Sequence, residues 1–207
     1  MQLIRASDYG RRMRVKLSVP PNPTKMKELI LHIAVACADD SKCGAVKLNK
    51  ILFYADFLSY LRRGKSITGQ PYFAIKEGPG PRQLRPIRDA MIEEKTIAIQ
   101  QLDMGFGSPM AKVVALRTPD YSKLDAEDIA IVDFVMAKLR NMSGTAVSEM
   151  SHKFKGWQAA FAKGATTEIP YASVLFDVKG FWDIELPALP ASQIEHGRKL
   201  WRKYSAA

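Results

Sequence analysis

The chain has 207 residues, a length of one or two domains, and its 47% apolar and 25% charged content excludes disordered and fibrous classes. Two cysteines are too few for a secreted disulfide scaffold, and no run approaches the roughly 18 apolar residues of a membrane span, so we expect a cytoplasmic protein without membrane contact. The net charge of +10 leaves nucleic acid and acidic protein surfaces as possible partners.

Residues 1–23 form a basic arm. Seven basic residues and a single acid lie between Met1 and Lys27, and they include Arg11, Arg12 and Arg14. The proline-rich segment 18–23 cannot be helical, because each proline restricts itself and the residue before it. We expect Thr24 to cap a helix that follows the arm and runs to about Cys37.

The strongest helical pattern is KLNKILFYADFLSYL, residues 47–61. Its centre is apolar on all sides, which is typical of a helix buried in the middle of a domain. Arg62 and Arg63 suit the negative end of a helix dipole, and Gly64 is the residue type expected directly after the last turn.

A short strand is predicted over residues 72–75, and Gly78-Pro79-Gly80-Pro81 is interpreted as a rigid turn that ends it. A helix should follow over about residues 82–94, with a late first turn because of Pro86. Alternating apolar residues on both sides of the segment 105–109 predict a β-hairpin.

The second half is predicted to be helical again. Asp125, with Asp128 three residues later, is typical of a helix start, and Ser143 or Thr145 should cap a shorter helix. Residues 181–207 are predicted to be a basic helical extension that packs on the same domain. The expected fold class is therefore α+β and mainly α-helical, with a small antiparallel sheet.

Motifs for catalysis or cofactor binding are weak. The GKS triplet at Gly64 lacks the earlier glycine and the preceding strand of a phosphate-binding loop. A metal site of His32, Cys37 and Cys43 would lack a convincing fourth ligand. We therefore expect no cofactor and no metal, and an enzyme built on His152 is only the third hypothesis.

A DNA-binding regulator is the second hypothesis. Arg82, Arg85 and Arg88 recur every three residues on a predicted helix that leads into the hairpin, the order of a recognition helix and its wing. Three acids on the same helix would repel phosphates, so we expect weak nucleic-acid binding at most.

Three blocks of the chain resemble the Panacea domain, the SocA-like antitoxin domain of bacterial toxin–antitoxin pairs. The first block is KLNKILFYAD, residues 47–56, and its family-like positions are Lys47, Leu48, Lys50, Leu52 and Tyr54. The second block is the Gly-Pro turn, where Glu77 replaces the family's tyrosine. The third block contains Ser151-His152 and Trp157.

The resemblance implies an antitoxin, not an enzyme, that neutralises a cognate toxin encoded by an adjacent gene. Family membership does not identify the toxin. We expect its binding surface to contain residues of the Gly-Pro turn, the following helix and the basic arm: Lys76, Gly78, Pro79, Arg82, Arg85, Arg11, Arg12 and Arg14. The alternative is that these charges only solvate the surface.

Overall fold

The computed structural model describes residues 19–182 without 104, 106–108 and 176, and this part is mainly helical α+β, as predicted. Its helices are α1 (Pro23–Ala36), α2 (Ala45–Arg63), α3 (Leu84–Glu93), α4 (Ala126–Leu139), α5 (Gly144–His152), α6 (Lys155–Ala162) and α7 (Val178–Phe181). Its strands are β1 (Tyr72–Ile75), β2 (Gly78–Pro81), β3 (Ile97–Leu102), β4 (Met110–Ala115) and β5 (Glu168–Ile169). Short 3-10 helices lie at Tyr121–Lys123 and Tyr171–Leu175.

Helix α1 begins earlier than predicted. The side chain of Asn22 accepts a hydrogen bond from the backbone N–H of Lys25, so Asn22 is the N-cap and the prediction of Thr24 was wrong. Pro23 takes the first helical position, where its missing N–H costs no hydrogen bond and its fixed φ suits the helix. The proline-rich segment therefore starts the helix instead of only preceding it.

Helix α2 is the centre of the fold, and its prediction is confirmed. The apolar residues Leu48, Ile51, Leu52 and Ala55 are at most 3% exposed. Gly64 ends the helix in the left-handed conformation, with φ 71°, and its N–H bonds to the carbonyl of Tyr60. Among the residues described, no helix is both long and apolar enough to cross a membrane.

An aromatic cluster packs against one side of α2. Its rings lie 4.7 to 6.1 Å apart between centroids and belong to Phe53, Phe57, Tyr72, Phe154 and Phe181. Phe181 and Trp182 are fully buried, although the sequence analysis assigned them to the C-terminal extension. The rest of that extension, residues 183–207, lies outside the described residues.

The segment 78–81 is a strand, and its interpretation as a turn was wrong. It pairs antiparallel with β1, so that Ile75 faces Gly78 and Tyr72 faces Pro81. The sheet order is β2-β1-β5, which places β2 at an edge. Proline lacks an N–H and is tolerated at a sheet edge, which explains how Pro79 and Pro81 fit in a strand.

The next elements lie where they were predicted, although α3 starts two residues later than expected. Helix α3 begins at Leu84, after Arg82, with Pro86 in its first turn. Strands β3 and β4 form the predicted hairpin, with Ile97 opposite Ala115. Ser143 caps α5, and Asp125 and Asp128 form a reciprocal capping box at the start of α4.

Polar side chains of α2 connect the helix to surrounding loops. The carboxylate of Asp56 is buried and accepts hydrogen bonds from the N–H groups of Ile67 and Thr68, the Thr68 hydroxyl and the Tyr72 hydroxyl, at 2.5 to 2.8 Å. At the end of the helix, buried Arg63 donates to Asp128 at 2.5 Å. The bonds of Asp56 fix residues 67–72, where the chain passes from α2 into β1, and the bond of Arg63 joins α2 to α4.

We expect Asp56→Asn to lower the free energy of unfolding by about 2–4 kcal/mol, because an amide nitrogen would replace one acceptor in a buried ring of donors. Urea unfolding followed by circular dichroism measures this loss. Glu93→Gln, the same chemical change on an exposed side chain, is the control and should have little effect. Equal stability of both variants would contradict the role of Asp56.

Candidate functional site

A cleft with a volume of about 460 Å³ lies between the start of α2, the β1–β2 hairpin and α3. Its floor is formed by apolar side chains that are far apart in the sequence: Val46, Phe73, Ile75, Pro81 and Leu84. Such a cleft, with an apolar floor and a few polar groups, is typical of a binding site.

Strand alternation explains two of the five residues of this floor. Successive side chains of a strand point to opposite faces. Tyr72 and Ala74 are therefore buried in the core, whereas Phe73 and Ile75 face the cleft and remain partly exposed. Val46 is also 44% exposed, unusually open for an apolar residue at the start of a central helix.

Three arginines line the cleft, namely Arg82, Arg85 and Arg88. The Arg82 guanidinium lies over the ring of Phe73, 5.7 Å from its centroid, a cation–π distance. The side chain of Arg85 is 87% exposed, and its only ion pair in the described structure is a long one of 3.9 Å to Asp89. Within that part of the chain, Arg82 and Arg88 have no carboxylate within ion-pair distance.

Two buried polar atoms beside the cleft lack a partner among the described residues. They are Oδ1 of Asn49 and Nε of Arg88, and both residues belong to the lining. A buried polar atom without a hydrogen bond is unfavourable, and a bound segment with a donor and an acceptor could satisfy both. The cleft therefore combines apolar area, positive charge and free hydrogen-bonding capacity.

The hairpin that forms one wall is held by a buried group of side chains around Gly78. Lys50 reaches from α2 and donates to the carbonyl of Pro79 at 3.0 Å. Gly78 has φ 97°, and a Cβ on it would overlap the Ser151 hydroxyl and lie 2.6 Å from Lys50 Nζ. Only glycine fits this position. We call Lys50, Gly78, Ser151, His152 and Trp157 the turn cluster.

The histidine and the tryptophan of the turn cluster hold β1 at the same end, where Ile75 pairs with Gly78. Their rings stack at 4.3 Å between centroids, and the indole N–H of Trp157 donates to the carbonyl of Ile75 at 3.1 Å. Burial and the Lys50 ammonium lower the pKa of His152. The Ser151 hydroxyl is buried and donates to the carbonyl of Ser148 at 2.6 Å, not to His152. Ser151 and His152 therefore stabilise the fold and are not arranged as a nucleophile and its base.

The remaining residues of the predicted family motif are buried along α2. Leu48, Leu52 and Tyr54 belong to the core. Lys47 donates to Asp40 and to the carbonyl of Arg140, both at 2.7 Å. These residues position the cleft without lining it.

The structure separates the predicted binding residues into three groups. Arg82 and Arg85 line the cleft, and Lys76 is exposed on the loop between β1 and β2. Gly78 and Pro79 are buried and shape the wall. Arg11, Arg12 and Arg14 lie outside the described residues.

The proposed recognition helix differs from its prediction. Arg82 precedes α3, so the three arginines do not share one helix. Arg88 is half-buried against the cleft. Sequence reasoning identified Arg82, Arg85 and Arg88, but missed Val46 and Asn49, because their contribution depends on α2 meeting the hairpin.

Gly78→Ala should destabilise the protein more than Gly105→Ala does. Both glycines have positive φ, 97° and 76°, so both substitutions carry about 1–2 kcal/mol of backbone strain. Only Gly78 is crowded, because no described atom lies within 4 Å of a Cβ on Gly105. Overlap should add about 1–3 kcal/mol for Gly78, measured by thermal unfolding. Equal losses would show that the turn cluster does not need the glycine.

Replacing Lys50 with methionine should change how stability depends on pH. Burial lowers the pKa of Lys50 from 10.5 to about 7, although Glu77 opposes this. Between these values the unfolded chain binds the proton and the folded chain does not, so this group makes the protein more stable as pH rises. Below pH 7, Lys50 is protonated in both the folded and the unfolded chain, so it no longer makes stability depend on pH.

We therefore expect wild type to gain stability relative to Lys50→Met between pH 7 and 10, by about 1 kcal/mol per pH unit. Urea unfolding of both proteins across this range measures the difference, and other titrating groups cancel. A constant difference would mean that Lys50 stays protonated.

A family model described as "Antitoxin SocA-like, Panacea domain" matches residues 48–158, just over half of the chain. The match begins in α2 and ends in α6, so it contains the whole turn cluster and the three arginines of the cleft. It confirms the resemblance seen in the three sequence blocks. No curated protein and no solved structure is significantly similar to the chain.

Proposed function

The chain belongs to the family of SocA-like antitoxins with a Panacea domain, and from this membership we propose that it neutralises a cognate toxin by direct binding. The toxin would be encoded by an adjacent gene, and both proteins would act in the cytoplasm. In this role the protein masks its partner and performs no chemistry on it.

The observation that carries the proposal is the cleft with its three arginines. An interface hot spot is typically a pocket in which an aromatic, aliphatic or arginine anchor is shielded from water. Phe73, Ile75 and Val46 on the floor can pack against an apolar side chain of the partner. The guanidinium groups at the rim can pair with carboxylates of the partner. We propose that a toxin segment with an apolar side chain flanked by acidic residues occupies it.

The positive charge of the chain also favours an acidic partner. Arginine pairs with carboxylates through two parallel hydrogen bonds, and its flat side chain also packs on apolar surface. The whole chain carries +10, so an acidic toxin would be attracted from a distance. The basic arm with Arg11, Arg12 and Arg14 would add to this attraction.

Charge reversal at Arg82 and Arg85 together should abolish neutralisation. We expect toxin affinity to fall at least about 100-fold, the effect of losing two moderate hot-spot side chains. Arg82→Glu/Arg85→Glu should keep the wild-type circular dichroism spectrum and melting temperature, because neither residue is buried. Calorimetric titration with purified toxin and survival of toxin-expressing cells are the two measurements.

The matched control is Lys123→Glu/Lys138→Glu, which changes net charge equally at residues that do not line the cleft. It should reduce affinity only slightly. If both double variants lost affinity equally, general attraction and not the cleft would hold the toxin. If the cleft variant still protected cells, the interface would lie elsewhere on the protein.

The DNA-binding alternative makes a different prediction. A regulator would bind its own promoter tightly, and that binding would weaken steeply with salt, by a slope near −0.9 for each phosphate contacted. We expect only weak binding without sequence preference. Tight promoter binding that is lost in Arg85→Ala, with unchanged toxin affinity, would favour the regulator.

A further inference from the structure

Two thiols meet where α1 ends and α2 begins. Cys37 is the C-cap of α1, and Cys43 precedes Gly44, the N-cap of α2. Both residues are free cysteines and only 6% exposed. Their Sγ atoms and a carboxylate oxygen of Asp40 all lie within 4.8 Å of one another. Helix packing thus brings together two thiols that the loop 38–42 separates in sequence.

The surroundings of the thiols suit anions better than a cation. Both oxygens of Asp40 already accept hydrogen bonds, from the Lys42 N–H at 2.8 Å and from Lys47 Nζ at 2.7 Å. The ammonium of Lys112 lies on the same loop, donating to the carbonyls of Ala38 and Asp40. A metal ion is disfavoured here, because two ammonium groups lie nearby and both oxygens of Asp40 already accept hydrogen bonds.

The two thiols are not equivalent. A hydrogen bond from the Cys43 thiol lowers the pKa of Cys37, with further help from Lys47 and Lys112, although burial and Asp40 oppose it. The same hydrogen bond and burial raise the pKa of Cys43. The thiolate is the reactive form of cysteine, so the lowered pKa favours Cys37 as the attacking thiol and Cys43 as the thiol that resolves the intermediate.

We propose that Cys37 and Cys43 are a reversible oxidation site, at which hydrogen peroxide converts the thiol pair into a disulfide between the end of α1 and the start of α2. The site takes a small neutral oxidant, which needs little exposed surface to reach a thiol. It is independent of the proposed function, because none of its side chains lines the cleft.

The reaction has two steps. The Cys37 thiolate attacks one oxygen of peroxide, the O–O bond breaks, and the departing hydroxide takes a proton to leave as water. The sulfur of Cys43 then attacks the sulfenic acid on Cys37, the S–O bond breaks, and a second water leaves with the thiol proton. Two thiols lose two electrons in total and peroxide gains them. A dithiol reductant reverses the change by exchange.

The first test treats the full wild-type chain with hydrogen peroxide and follows its intact mass and its peptides. We expect a monomer that has lost two hydrogen atoms, a single peptide pair linked through Cys37 and Cys43, and full reversal by dithiothreitol. Stepwise oxygen addition at either cysteine without a link would overturn the proposal. Disulfide-linked dimers as the only product would also overturn it.

Single variants test which thiol reacts first. In Cys43→Ser, peroxide should leave a sulfenic acid on Cys37 that dimedone labels. In Cys37→Ser, labelling of Cys43 should be slower, because burial still raises the pKa of its thiol when the hydrogen bond to Cys37 is lost. Faster labelling of Cys43 would reverse the assigned roles and contradict the mechanism.

Two further measurements keep the test independent of variant folding. Alkylation of wild type by iodoacetamide, mapped by peptide, should modify Cys37 first as pH rises. Native mass spectrometry of the reduced chain with zinc should show no specifically bound ion. A tightly bound zinc that protects both cysteines from alkylation would make the group a metal site and overturn the proposal.

Discussion

The fold depends on one constraint, the burial of α2 on all sides although it contains charged residues. A buried charge is tolerated only when it is paired or hydrogen-bonded. Lys47 is therefore bound to Asp40, Lys50 to the carbonyl of Pro79, Asp56 to the segment 67–72, and Arg63 to Asp128. Each charged residue fixes a different loop, so a single helix determines where the loop before it, the hairpin and α4 must lie.

The shape of the cleft depends on these bonds between α2 and the surrounding loops. Lys50 and Ser151 lie close to Gly78, and Lys50 donates to the carbonyl of Pro79, so these contacts fix the hairpin against α2. Phe73 and Ile75, on the outer face of the same hairpin, are then held at a fixed distance from Val46. A rigid binding surface loses little conformational entropy when a partner arrives, which raises affinity without additional contacts. The buried family motif thus sets the position of the hairpin, which is one wall of the cleft.

Much of the fold could be predicted because its signals are local. The apolar helix α2, its terminal Gly64 and the capping box at Asp125 each occupy a few consecutive residues. The strand Gly78–Pro81 could not be predicted, since its prolines are acceptable only at a sheet edge, and edges are set by tertiary structure. The cleft itself was not predicted. Arg82 and Arg85 were singled out from the sequence and line it, whereas Val46 and Thr166 join it only after folding.

The distribution of acids explains why the arginines of the cleft remain open to a partner. Several carboxylates of the described structure are already committed to internal pairs: Asp128 with Arg63, Glu28 with Arg117, Asp39 with Arg140 and Asp40 with Lys47. Arg82 and Arg88 have no such pair within the described residues, and Arg82 contacts only the ring of Phe73 through its charge. Their guanidinium groups are therefore free to meet carboxylates from outside the chain, while the paired residues maintain the fold that presents them. The basic residues that form internal ion pairs and those that line the cleft are therefore separate sets.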